Sequence, residues 1–126
     1  MFRHYNPNPA ELTVDDCTIR ALCCLEGISW EDASLGLFVQ SYELHDVQTS
    51  SNVFNTFLKH RNYIRTQIPN TCPDCYTVID FCKDNPQGRY IVATQSHVVA
   101  IIDGDYYDTW DSGTEPIIYF WKKERR

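Results

Sequence analysis

Three side chains in this sequence, Cys17, His97 and Asp108, are of the types that can share a proton and attack a carbonyl carbon. Cys17 lies in Asp15-Asp16-Cys17-Thr18-Ile19-Arg20-Ala21-Leu22, directly after residues suited to cap a helix. Cysteine attacks as the thiolate, and an ordinary thiol with a pKa of about 8.5 is little ionised at neutral pH. A helix N-terminus favours the anion. The carboxylates of Asp15 and Asp16 oppose it, because nearby negative charge disfavours another. Activation of Cys17 therefore requires a histidine in contact.

The histidine expected to do this is His97. It opens an apolar run that reaches Asp103-Gly104, a strong signal for a two-residue hairpin turn, and the chain returns through Tyr106-Tyr107-Asp108-Thr109-Trp110-Asp111. Such a turn sets Ile102 opposite Asp105 and Ala100 opposite Tyr107. His97, Val99 and Ile101 then share a face with Tyr106, Asp108 and Trp110. Asp108 is diagonal to His97 and placed to orient its ring. A three-residue turn would put Asp111 there instead, so Asp111 is the reserve acid. Trp110, Tyr106 and Tyr107 are candidates to line a cleft. His4, His45 and His60 stand in loop or helix-end contexts without a comparable acid and read as surface residues.

The elements that must position these residues follow from periodicity and caps. A helix is expected from Asp15 or Asp16 to about Glu26, stopped by Gly27. Ser29-Trp30-Glu31-Asp32 opens a second helix, with Trp30, Ala33, Leu37 and Phe38 on its inner face. Ser50-Ser51 caps a third, carrying Val53, Phe54, Phe57 and Leu58. Residues 63–68 alternate as a strand, and a fourth helix is expected after Pro73, ending before Asn85. Strands follow over 90–94, 97–102, 106–110 and 117–121, while residues 1–14 run extended over the surface. Helices first and an antiparallel sheet last is the α+β order, in a single domain spanning 1–126.

The remaining cysteines have other expected roles. Cys23 and Cys24, beside Leu22 and Leu25, read as core thiols. Cys72-Pro73-Asp74-Cys75 has the form of a redox pair, but a thioredoxin-like fold needs an earlier strand before the dithiol and more chain after it. Zinc is the other alternative, through Cys72, Cys75 and Cys82 with a fourth ligand unassigned. Cys75, Val78, Ile79 and Cys82 recur at helical spacing and are expected in the core, leaving Cys72 open between ligand and cap-region thiol.

Composition narrows the partners. The chain has 126 residues, 43% hydrophobic, and a formal charge of -6 with no clustered basic surface, which argues against nucleic acid. The first residues lack the apolar run of a signal peptide, and no stretch approaches the length of a membrane helix. Together these imply a cytoplasmic protein whose six cysteines are mostly free thiols. No cofactor is implied.

Asp-Cys opening a helix, His97-Val98-Val99 followed by Asp103-Gly104, and an aspartate on the returning strand resemble papain-like cysteine peptidases, most closely the small types related to bacteriocin-processing peptidases. The Asp16-Cys17-Thr18-Ile19-Arg20-Ala21 and Cys72-Pro73-Asp74-Cys75-Tyr76-Thr77 segments are also similar to those of short proteins of bacteria and their phages. The resemblance implies a papain-like fold, with N-terminal helices packed on a C-terminal antiparallel sheet. It makes Cys17 the nucleophile, His97 the base and Asp108 the orienting acid, acting on a protein or peptide substrate. Glu11 stands where that family usually has the oxyanion-hole glutamine, with Thr13 and Gln95 as possible replacements. The alternative implied by Glu11 is an inactive papain-like binding module, such as a phage effector or inhibitor acting on a host protein. A cell-wall amidase is disfavoured by the absence of a basic surface.

Overall fold

In the computed structural model, which describes residues 1–124, helix α1 (Cys17–Glu26) begins at the cysteine and ends where Gly27 adopts φ 66°. Ile19, Leu22, Cys23 and Leu25 are buried. Helix α2 (Trp30–Leu44) is capped by Ser29, whose Oγ accepts from the Asp32 N–H at 3.1 Å. Its core-facing residues are Ala33, Leu37, Gln40 and Ser41. Phe38, expected on the inner face, is 58% exposed instead. This helix is apolar on two sides, so periodicity alone could not choose the buried one. Helix α3 (Ser51–His60) is capped by Ser50 and buries Val53, Phe54, Phe57 and Leu58, as their spacing requires.

The fourth helix departs from expectation. α4 (Val78–Asp84) starts later than Pro73 because Thr77 caps it: the Thr77 side chain accepts from the Asp80 N–H, and Asp80 accepts from the Thr77 N–H. Residues 72–75 form a turn closed by a Cys72–Cys75 disulfide, with the Thr71 hydroxyl donating to the Asp74 carbonyl at 2.6 Å. Cys75 thus lies off the helical stripe and is half-buried, while Val78 and Cys82 do enter the core. The disulfide corrects the expectation of free thiols for this pair. It also removes two of the three thiols of the Cys72, Cys75 and Cys82 zinc alternative, since a ligating cysteine must be a thiolate. Among the described residues no group of three or more side chains is placed to hold a metal ion.

Six strands form one mixed sheet: β1 (Phe2–His4), β2 (Tyr63–Gln67), β3 (Arg89–Ala93), β4 (Val98–Ile102), β5 (Asp105–Asp108) and β6 (Tyr119–Lys123), in the order β1-β5-β4-β3-β6-β2. The β4–β5 hairpin has the expected register, Ile102 opposite Asp105 and Ala100 opposite Tyr107. Asp103 and Gly104 turn it with φ 50° and 80°, the positive values a two-residue turn of this hand demands. The expected all-antiparallel sheet is corrected at one edge, where β1 pairs parallel to β5. Beyond β1 the Tyr5 N–H donates to the Asp108 carbonyl at 2.8 Å, so the N-terminal segment is tied to the strand that carries the acid.

Alternation divides the core between two faces of the sheet. Ile91, Ala100 and Trp121 pack with α1, α2 and α3, while Val92, Val99, Ile101 and Tyr106 pack with α4. The first cluster seats α1 across β4 and β5, bringing its N-terminus to the edge where β4 begins and β5 ends. No helix among the described residues is long and apolar enough to cross a membrane.

Candidate active site

Cys17 occupies the first position of α1 and is half-buried. His97 stands one residue before β4, on a tight turn from β3. The Thr94 N–H and hydroxyl both donate to the His97 carbonyl, at 2.7 and 3.1 Å, which fixes the backbone from which the imidazole projects. Asp108, the last residue of β5, is fully buried. Its Oδ2 lies 2.6 Å from His97 Nε2. The Thr109 N–H donates to Oδ1 at 2.8 Å and the Ser112 hydroxyl to Oδ2 at 2.8 Å, so the carboxylate has little freedom to turn. The Trp110 ring lies against His97, with centroids 5.1 Å apart, and covers one face of the imidazole.

The electrostatics follow from these contacts. Burial disfavours charge on His97, yet its hydrogen bonds to Asp108 and then to Cys17, with the charges of both, outweigh burial and raise its pKa to about 9. Burial likewise works against the Asp108 carboxylate, but the His97 contact and the Ser112 and Thr109 donors hold it below the usual carboxylate range. The imidazole is therefore bonded at Nε2 to Asp108 and lies within electrostatic reach of Cys17. Cys23, Cys24 and Cys82 are different: burial pushes each up to about 11, and their thiols stay protonated and inert.

Arg20 is the site residue that sequence reasoning left without a role. One turn into α1 and almost fully buried, it places Nη1 2.7 Å from Asp16 Oδ1 and Nη2 3.1 Å from Asp108 Oδ1. Asp16 is buried too, and its Oδ2 accepts from Trp30 Nε1 at 2.9 Å. Arg20 thus bridges two buried carboxylates, in a chain of contacts that runs from Trp30 through Asp16, Arg20 and Asp108 to His97. The available signal was an arginine between Ile19 and Ala21, four residues after an aspartate, on a helix whose other faces are apolar. Asp16 also departs from its expected part. It sits at the cap position, but its side chain makes no capping hydrogen bond. The Arg20 N–H donates to the Asp16 carbonyl at 2.8 Å, while the N–H groups of Cys17, Thr18 and Ile19, at the very start of the helix, receive no side-chain cap from Asp16.

The other candidates are placed elsewhere. Asp111, the reserve acid, is exposed, accepts from the Tyr106 hydroxyl and from the Gly113 N–H at 3.1 Å, and does not reach His97. Tyr106 is core and Tyr107 packs edge-on to Tyr5, which leaves Trp110 as the aromatic at the site. Glu11, Thr13 and Gln95 are all exposed, and their side chains make no hydrogen bond among the described residues. Glu11 lies on a loop turned by Asn8 and adopts φ 57°. His4, His45 and His60 are exposed, as expected. A concave region of about 1440 Å³ along β2, β6 and β3 is lined by none of Cys17, His97 and Asp108.

The loop that carries Ser112 is tightly packed. A Cβ on Gly113 would collide with the Tyr106 hydroxyl and would lie 2.7 Å from Ile79 Cγ1. Gly113→Ala is expected to destabilise the protein by about 1–3 kcal/mol in urea unfolding, a typical overpacking cost. An unchanged midpoint would show that this loop yields.

No family model, curated protein or solved structure matches the chain.

Proposed function

We propose that this protein is a papain-like cysteine hydrolase that forms an acyl-enzyme on Cys17, with His97 as acid and base and Asp108 as the group that orients it. The observation that carries this reading is the imidazole of His97, held at Nε2 by the buried Asp108 at 2.6 Å and near enough to Cys17, at the start of α1, for the two side chains to interact electrostatically. A thiol beside an imidazolium gives up its proton far more readily than a free thiol. In the proposed sequence the Cys17 thiolate attacks the carbonyl carbon of an amide or thioester, forming the C–S bond and moving an electron pair onto oxygen. Collapse expels the leaving group, amine or thiolate, which takes its proton from His97. Neutral His97 then accepts a proton from water as that water attacks the thioester. The C–S bond breaks, the acid is released and the thiolate is regenerated.

The developing oxyanion needs donors. In place of the family's glutamine, the N–H groups at the start of α1 that Asp16 does not cap fill that role, because its carboxylate is turned to Arg20 and Trp30. A peptide or protein is the proposed substrate class. A second reading, a non-catalytic binding module, draws support from the apolar outer face of α2. Acid-quenched intact-mass spectrometry with an activated acyl thioester separates the two. An acyl adduct that maps to Cys17 and vanishes in Cys17→Ala is expected. An adduct that persists in that variant, or none at all, sinks the enzyme reading.

A further inference from the structure

Helix α2 has a second apolar face. Leu35, Phe38, Val39 and Tyr42 follow one another at i, i+3, i+4 and i+7, and are 61%, 58%, 49% and 77% exposed. Val47, just beyond the helix, extends the patch at 66%. The core takes the opposite side of the same helix, through Ala33, Leu37, Gln40 and Ser41. Such a stripe is the spacing by which one helix seats itself against another. Between α2 and α3 it borders a groove of about 400 Å³, whose walls include Leu35, Gly36, Val39 and Phe57. Gly36 lets the groove reach the Phe57 ring, 3.0 Å from where a Cβ would stand.

Charge decides what fits there. α2 contains no lysine or arginine, and carries Glu31 and Asp32 at its start and Glu43 at its end, all exposed. Asp32 and Glu43 line the groove itself. Arg61 also lines the groove, beside His60 at the end of α3, with its guanidinium held over the Phe57 ring at 4.5 Å. A second copy packing its α2 antiparallel on this one would bring Glu31 and Asp32 against Glu43 at both ends, and like charges so placed repel. We propose that the α2 face is a docking site for a partner protein that presents an amphipathic helix with an apolar face flanked by lysine or arginine. Apolar anchors fill the stripe and groove, and the basic flanks meet Asp32, Glu43 and Glu31. This surface is independent of the chemistry at Cys17.

The probe is a fluorescein-labelled synthetic helix with leucines at i, i+3, i+4 and i+7 and lysines on the flanks, compared with the same peptide carrying glutamates there. Anisotropy with the full chain is expected to show the lysine peptide binding at least about tenfold more tightly than the glutamate peptide. Leu35→Ser with Phe38→Ser removes the apolar anchors and keeps every charge, and is expected to weaken binding by about tenfold or more. Asp32→Lys with Glu43→Lys keeps the anchors and is expected to weaken the lysine peptide and strengthen the glutamate one. All four residues are exposed, so melting temperatures near the wild-type value should confirm that the variants fold. Equal binding of both peptides, or binding unmoved by the serine pair, overturns the proposal. So does a concentration-dependent dimer in sedimentation that the serine pair dissolves, because the occupant is then a second copy.

Discussion

Arg20→Ala is expected to destabilise the protein by about 3–5 kcal/mol, the cost of removing one partner from a buried ionic cluster. The guanidinium is the shared cation of Asp16 and Asp108, at 2.7 and 3.1 Å, and all three side chains are at most 5% exposed. Without it Asp16 keeps only the Trp30 N–H, and Asp108 keeps His97, Ser112 and the Thr109 N–H, so at least one buried carboxylate must take up a proton or reach water. Arg20→Lys is expected to recover only part of the loss, since an ammonium cannot fork between two carboxylates. Urea unfolding of the three proteins checks this. A loss of under about 1 kcal/mol in Arg20→Ala would mean that the cluster is hydrated and carries little of the fold.

Asp108→Asn is expected to lower kcat for acyl transfer by up to about ten-thousandfold, the effect of replacing the orienting acid of a catalytic triad by its amide. The amide keeps the shape of the site but cannot balance an imidazolium, and Ser112, Thr109 and Arg20 would all be donating to a neutral group. The same substitution is expected to change the pH dependence of stability. His97 has its pKa raised from 6.5 to about 9 on folding. Its contribution is therefore fully present below about pH 6.5 and lost as pH rises through about 9. Asp108 is depressed, so its contribution is present above the ordinary carboxylate range and lost as pH falls through its folded value. Wild-type stability should thus decline between pH 6.5 and about 9, and Asp108→Asn should flatten that decline. Steady-state kinetics with a thioester and urea titrations across pH measure the two effects. Unchanged kcat with an unchanged pH slope would remove Asp108 from the site.

Local signals were legible in the sequence. Cysteine at a helix start, the Gly27 stop and the Asp103-Gly104 turn depend on a few neighbouring residues, and parity along the hairpin then chose Asp108 over Asp111. What depends on distant partners was not. Asp16 looks like a cap until Arg20 and Trp30 are folded against it, and a three-residue strand such as β1 has too few residues to show alternation. Pro73 is suited to start a helix, but the Thr77–Asp80 capping box and the Cys72–Cys75 bridge set the start at Val78. Phe38 was misplaced because α2 is apolar on both sides. The same second apolar side is the one on which the proposed docking site rests.

The central claim is that Cys17 and His97 act as one unit, and alkylation of each cysteine as a function of pH tests it most directly. Mapping by peptide mass, in wild type and in His97→Ala, reads the four free thiols separately. Cys17 alone is predicted to react rapidly below pH 7, while Cys23, Cys24 and Cys82 stay unreactive because burial holds their pKa near 11. In His97→Ala the fast reaction at Cys17 is predicted to disappear. A Cys17 that titrates like a free thiol in both proteins would contradict the account, and would leave the α2 face as the part of the molecule with a function to find.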